Sequence, residues 1–235
     1  MATEPSNVFN TPAEFFQLFA HNWRHIQKRL TATWSARQKA EVADDYDRLI
    51  NELASAIDAA VATGSGDLAN EWKKAQVFVR SLLAELRMWI AIKDNYADLA
   101  WRCFCDAEDY ARMSARWLPD FMPAQEQPQR LRDVERVCFP SQPFFLSTAT
   151  IVAEDDMFCT VCNQIYAECE HIVGNLYSGR IASRRITHIK SISEISFVDE
   201  PADKRCRVLR GPDGHDPLTG EPAQQGNALE QNDEI

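Results

Sequence analysis

The sequence contains no long apolar segment: no run approaches the roughly eighteen residues that a membrane-spanning helix requires. Its first residues include neither the basic nor the apolar part of a secretory signal peptide. Cysteine occurs in an odd number, seven, and the positions suggest no framework of paired disulfides. These absences argue against a membrane-spanning protein and against a disulfide-stabilised secreted domain. We therefore expect a cytoplasmic protein without membrane contact.

Lysine and arginine are missing from residues 211–235, where six acidic residues occur. This segment also lacks apolar periodicity, which predicts a disordered acidic tail. The preceding residues 172–210 are locally basic. Their bases belong either to solvated strand faces or to a module that binds nucleic acid through phosphate contacts, although only Tyr177 and Phe197 are available to stack on bases. The candidate nucleic-acid contacts are Arg180, Arg184, Arg185, Lys190, Arg205, Arg207 and Arg210.

Helical periodicity dominates residues 11–118. Capping boxes at Thr11 and Ser35 predict two helix starts, and Gly64 is placed to end the second helix. Asp67 is predicted to cap a third helix, and a fourth apolar repeat follows it. We therefore predict a bundle of about four helices. All six tryptophans lie in this half, where they either line a ligand or partner surface or, as we favour, fill the core and ends of the bundle.

Composition changes after the fourth helix. Residues 119–143 contain five prolines, which predicts a linker with one short helix at 130–137. Within residues 144–210, short β-branched segments predict a small β module. Its expected strands are 144–153, 181–189, 193–198 and 205–209. The fold class is then α+β, a helical bundle followed by a small β module and the tail.

A cluster of potential metal ligands lies inside the β module. Cys159 and Cys162 have the spacing with which two thiolates chelate one ion from a tight turn. Cys169 and His171 follow after six residues, so one short loop supplies four ligands. A closed set of three thiolates and one imidazole leaves no open position, which predicts a structural rather than a catalytic zinc ion.

A pair of histidines forms a second candidate metal site. His21 and His25 are one helical turn apart, a spacing that can chelate a metal. No glutamate completes an H-E-x-x-H motif, and three basic residues surround the pair. We interpret this pair as part of a solvated basic helix face.

Two features of the β module together resemble a known family. Residues 193–203 resemble the signature E-[VI]-S-[LF]-V-x-x-P-A-[ND] near the end of tailed-phage prohead (capsid maturation) protease domains. In some members or relatives of that family, a cysteine- and histidine-containing insert precedes the signature. The same order occurs here in Cys159, Cys162, Cys169, His171, Ile172, Gly174 and Tyr177. The resemblance covers roughly 144–210, and the helical half is not part of it.

The resemblance implies a serine peptidase with a herpesvirus-protease-like β fold and a nucleophile in an [LM]-S-x-G-[FY] strand. The matching position is Ser147, but Ala149 and Thr150 replace the glycine and the aromatic residue. The family's upstream histidine has no counterpart in an equivalent β-rich segment. Because serine is a weak nucleophile without a base, we interpret Ser147 as an ordinary strand serine, with a catalytic role as the alternative.

Three functions therefore compete. The leading hypothesis is a non-enzymatic zinc-binding protein of phage, prophage or mobile-element origin, which acts through protein contacts of its helical bundle in capsid assembly or in host–phage conflict. The alternatives are a peptidase that uses Ser147 and a nucleic-acid-binding module that uses the basic stretch. No small-molecule substrate is evident from the sequence.

Overall fold

The computed structural model describes residues 9–140, 145–211, 213–218, 220 and 222. Five α-helices occupy the first part of the chain and a small strand-rich module follows them. The α+β class is therefore confirmed. The helices are α1 (Pro12–Arg29), α2 (Ala36–Ala62), α3 (Gly66–Lys93), α4 (Ala97–Trp117) and α5 (Met122–Cys138).

Local sequence signals set the start of the first two helices. The Thr11 hydroxyl accepts a hydrogen bond from the backbone N–H of Glu14, 3.2 Å away. Ser35 and Gln38 cap α2 reciprocally, as a capping box requires. For α3 the predicted cap was wrong. The helix begins at Gly66, so Asp67 lies inside its first turn, where a carboxylate still stabilises the positive end of the helix dipole.

The predicted proline-rich linker is largely a helix. The sequence predicts one short helix at 130–137 within the linker 119–143. The structure instead has the seventeen-residue helix α5 there. Pro123 lies in the first turn, where its missing N–H costs no hydrogen bond. Ala124, Gln127 and Leu131 share one buried face of α5, and Gln127 accepts a hydrogen bond from Ser81 on α3 at 2.9 Å. Packing on the bundle therefore outweighs the helix-breaking tendency of proline.

The bundle is organised around α3, which packs against α2 and α4. One core cluster joins α1, α2 and the first part of α3; a second joins the end of α3 with α4, Leu131, Phe139 and Phe145. Four of the six tryptophans are buried, at positions Trp23, Trp72, Trp89 and Trp101. Packing of the apolar side chains in these two core clusters, more than intrinsic helix propensity, stabilises such a bundle.

The β module consists of three two-stranded antiparallel sheets. The pairs are β1 with β6, β2 with β5 and β3 with β4. The strands are β1 (Phe145–Ile151), β2 (Met157–Cys159), β3 (Leu176–Tyr177), β4 (Arg180–Ile181), β5 (Arg184–Ile186) and β6 (Ser191–Val198). The predicted strand at 205–209 is wrong, since only an isolated bridge between Arg207 and Phe145 forms there.

The beginning of the predicted tail contacts the rest of the protein. Asp216 accepts two hydrogen bonds from the buried Arg207, at 2.7 and 3.0 Å. Leu218 packs against the second core cluster. Asp216 thus supplies a counter-charge to the buried Arg207, so the first residues of the predicted tail contact the folded part of the chain. Residues 223–235 lie outside the described residues.

Among the described residues, none of the helices is both long enough and apolar enough to cross a membrane.

Candidate metal centre

The first ligand pair lies in a tight turn at the end of β2. The backbone N–H of Cys159 donates to the carbonyl oxygen of Gln164, and the N–H of Asn163 donates back to the carbonyl of Cys159, both at 2.9 Å. Asn163 adopts a left-handed backbone conformation with φ 59°, which asparagine tolerates better than most residues. This turn brings the side chain of Cys162 back beside that of Cys159.

The second ligand pair follows a short 3₁₀ turn at Tyr166–Glu168. The backbone N–H of His171 donates to the Sγ atom of Cys169 at 3.3 Å. The same sulfur lies 3.6 Å from Nδ1 of His171. The imidazole is thereby oriented with Nδ1 toward the thiol.

All four predicted ligands converge. The ligand atoms of Cys159, Cys162, Cys169 and His171 all lie within 4.8 Å of one another. Zinc bond lengths in tetrahedral geometry require separations of about 3.8 Å between two sulfurs and about 3.6 Å between sulfur and nitrogen. The Cys169–His171 separation already has this value, and the remaining distances need to shorten by at most about 1 Å. The residues present therefore fit a four-coordinate metal ion.

The hydrogen-bonding environment favours thiolate at one end of the cluster. Burial opposes ionisation of Cys159, but N–H donors from the backbone of Cys162 and Val161 outweigh it and lower the pKa of this thiol. For Cys169, burial and the neighbouring sulfurs of Cys159 and Cys162 raise the pKa, although the N–H of His171 opposes the rise. Three thiols this close cannot all ionise easily unless a cation is bound between them.

Tyr177 supports the histidine. Its ring meets the imidazole of His171 edge to face, with ring centroids 4.4 Å apart. Its hydroxyl accepts a hydrogen bond from the backbone N–H of Ile172 at 3.0 Å. Tyr177, which the sequence offers as part of the family-like order and as a base-stacking residue, thus packs against a candidate metal ligand.

The helical bundle holds the loop that contains the second ligand pair. Trp117 on α4 donates its indole N–H to the carbonyl oxygen of Gly174 at 3.0 Å. The backbone N–H of Gly179 donates to Asn70 on α3 at 2.8 Å. Gly179 has φ +77°, and a Cβ atom there would lie 2.6 Å from Ile57. The sequence offered no signal for this docking, because it depends on contacts between distant residues.

Ser147 lies on β1, opposite Ser196 of β6, and is exposed. Among the described residues, which include all five histidines, no hydrogen bond joins its side chain to a histidine. The Ser196 hydroxyl is itself bonded to Glu194. The structure therefore brings neither a base nor the upstream histidines His21 and His25 to this serine.

The predicted nucleic-acid contacts are divided by the structure. Arg205 forms ion pairs with Asp106 and Asp109 of α4, and Arg207 pairs with Asp98 and with Asp216 of the tail start. Phosphate contacts by these two arginines would have to displace those pairs.

Of the five remaining candidates, Arg210 is exposed after the last strand and the other four lie on the surface of the β module. Arg180, Arg184, Arg185 and Lys190 are all exposed. Arg184 lies over the ring of Tyr166, and Arg185 lies over Phe158 and donates to Asn163 at 2.6 Å. Two of the four cations thus already contact aromatic rings.

His21 and His25 are both exposed on α1. Within the described ranges, the cluster around Cys159 is the single group of three or more potential metal ligands, and neither of these histidines belongs to it.

Comparison of the chain with protein-family models, with curated proteins and with solved structures finds no match. The geometry of the cluster is therefore the main basis for a functional proposal.

Proposed function

We propose that this is a non-enzymatic zinc-binding protein in which one structural zinc ion folds the β module and holds it in the form that contacts protein partners. The convergence of four ligand atoms from one short loop carries the proposal. Three thiols and an imidazole are soft or borderline donors, a set typical of zinc rather than of calcium or magnesium. When bound, zinc would act as a structural cross-link, because four protein ligands complete its coordination.

The burial pattern supports a structural role for the metal. Among the described residues after Phe145, the buried apolar residues are Cys159 and Ala182. A module of this size with so little core needs another source of stability, and metal binding supplies it in many small domains. Of the two buried residues, Cys159 is itself a candidate ligand, and the other two cysteines of the cluster are partly buried.

The type of partner follows from the family resemblance. The segment that resembles the prohead-protease signature forms β6 and the residues just after it. We therefore propose a phage, prophage or mobile-element origin, with protein contacts in capsid assembly or in host–phage conflict. Genes for capsid and portal proteins beside this one would favour assembly, and defence genes would favour conflict.

Metal content tests the zinc site directly. Protein purified without chelator is expected to contain one equivalent of zinc by elemental analysis. Cys159→Ser and Cys162→Ser should each lose it, because a three-ligand site binds structural zinc far more weakly. Cys206→Ser is the matched control, since Cys206 is exposed and lies outside the cluster.

Two results would overturn the proposal. Less than about a tenth of an equivalent of any metal in the wild-type protein would exclude a structural ion at this site. Covalent labelling of Ser147 by a fluorophosphonate, lost on denaturation, would instead make the chain a serine hydrolase.

A further inference from the structure

The hairpin formed by β1 and β6 extends away from the bundle. Only its base is anchored: Phe145 is buried and Val198 packs beside it on the second core cluster. Every other residue of β1 is exposed, as is most of β6. A two-stranded hairpin without a covered face is marginally stable in water. The exposed part of this hairpin therefore lacks the packing that normally stabilises such a structure.

The strand register separates the hairpin into two different faces. Leu146 pairs with Phe197, Thr148 with Ile195, and Thr150 with Ile192. These six residues lie on one face, which has no charged side chain and only the threonine hydroxyls as polar groups. The opposite face is mixed: it includes Ser147, Glu194 and Ser196 besides apolar residues such as the exposed Ile151.

A β-bulge creates the apolar face. Ile192 and Ile195 are three residues apart, and in a regular strand they would point to opposite sides. The register shifts between Ala149 and Thr150, which leaves Ser193 as the extra residue and returns Ile192 to the side of Ile195. The Ser193 hydroxyl donates to the carbonyl oxygen of Ala149 at 3.1 Å and stabilises this arrangement. The bulge thus concentrates apolar side chains where no part of the described chain covers them.

The exposed area is large enough for a weak specific contact. Phe197 is 74% exposed, Ile195 63%, Ile192 58% and Leu146 36%. Together these side chains expose on the order of 400 Å² of surface, within the range of the largest patches on soluble proteins. With the threonines, two such faces would bury roughly 1,000 Å² in total, the lower limit for a specific interface.

The area and the absence of charge on this face argue for a second copy of the chain as the occupant. The chain has a net charge of −10, so two copies repel each other at long range, and close contact is favoured where neither copy contributes a charge. The apolar face is free of this repulsion, because none of its six residues is charged. A flat, uncharged and apolar sheet face is complementary to an identical face related by a two-fold axis.

We propose that the β1–β6 face is the interface of a homodimer, in which the hairpins of two copies pack face to face as a two-layer sheet. We expect a weak dimer, because the area lies at the lower limit for a specific interface. The inference goes beyond the zinc site, since its contacts involve none of the four metal ligands.

Sedimentation velocity of the full-length zinc-loaded protein tests the proposal. The wild-type protein should pass from monomer to dimer between about 1 and about 300 μM. Thr148→Lys should weaken the dimer at least about tenfold, because it places a positive charge from each copy in the interface. Thr148 is exposed in the monomer, so the substitution should leave the fold intact. Ser147→Lys, on the opposite face of the same strand, is the matched control and should dimerise like the wild type.

A mixing experiment separates repulsion from misfolding. Thr148→Lys and Thr148→Glu should each remain monomeric, and an equimolar mixture of the two should recover association. Zinc content is measured on every variant, so that loss of the metal centre is distinguished from loss of the dimer. A wild-type protein that stays monomeric throughout, or a dimer that is unaffected by Thr148→Lys, would overturn the proposal.

Discussion

The helical bundle and the β module of this protein are stabilised in different ways. In the bundle, large side chains such as Phe78, Leu82 and Trp101 are at most 2% exposed and interlock in two continuous core clusters. In the module beyond its base, Cys159 and Ala182 are the buried apolar residues of the described part. The bundle thus gains stability from apolar area removed from water, whereas the module has little buried apolar area of its own, contacts α3 and α4, and under our proposal is stabilised by a bound metal ion.

Besides the apolar packing of Phe145 and Val198 on the bundle, specific polar contacts join the two regions. Trp101 donates its indole N–H to the carbonyl oxygen of Lys204 at 3.0 Å. Lys204 itself pairs with Glu108 and Glu135, at 3.1 and 2.7 Å. Acidic residues of α4 and α5 therefore hold the basic residues that follow β6. Part of the stretch that is basic in the sequence, namely Lys204, Arg205 and Arg207, therefore attaches the module to the bundle.

Removal of the metal should give the largest difference in stability between the two regions. In Cys159→Ser, hydrogen exchange within residues 152–190 should become fast while the helical circular dichroism signal persists. The module would lose a metal-binding free energy on the order of 10 kcal/mol, which its small core cannot replace. Loss of the helical signal together with the module would show that the bundle also depends on the metal. Unchanged exchange would show that the module folds without it.

Shortening one apolar side chain in the bundle and one in the hairpin should show how much more burial stabilises the bundle. Leu82→Ala in the bundle should lower the free energy of unfolding by about 2–5 kcal/mol, because the side chain is fully buried. Ile192→Ala in the hairpin, measured on dilute monomer, should change it by less than about 0.5 kcal/mol. Chemical denaturation checks both values. Similar losses at the two sites would mean that the hairpin face is covered within the monomer.

The packing of the β module on the bundle should be sensitive to a substitution at Gly179. Gly179→Ala combines a left-handed φ with a Cβ atom only 2.6 Å from Ile57, and should cost about 1–3 kcal/mol. Gly64→Ala provides the control, because its φ is also positive but no atom lies within 4 Å of the added Cβ. Its cost should be about 1 kcal/mol, from backbone conformation alone. Equal losses in thermal unfolding would argue against close packing at Gly179.

The smallest expected effect concerns the tail, whose two parts should differ in how much they stabilise the fold. Deletion of residues 223–235 should leave the free energy of unfolding within about 0.5 kcal/mol of the wild-type value. Deletion of 211–235 should cost roughly 1–2 kcal/mol more, since it removes Asp216 from the buried Arg207. Differential scanning calorimetry of both truncations checks the prediction. A large loss on the shorter deletion would show that the last residues also dock.

Local signals in the sequence predicted much of the fold. The starts at Thr11 and Ser35 and the helix end near Gly64 follow from side-chain caps and backbone preferences that need no distant partner. The convergence of the four ligands was also predictable, because they lie within thirteen residues of one another. The helix across Pro128 was not predictable in the same way. Its buried face is apolar only at scattered positions, and its stability comes from packing on the bundle.

The sequence by itself determined the α+β class, the first helix caps and the four residues of the candidate metal site, because each depends on residues close together in the chain. Tertiary structure alone decided which arginines are already paired, where the loop of Cys169 and His171 contacts the bundle and which face of the β1–β6 hairpin is apolar. Arg207 and Asp98 are 109 positions apart, and a single extra residue at Ser193 reverses the side to which Ile192 points. Long-range pairing and strand register depend on the whole folded chain, and no local pattern encodes them.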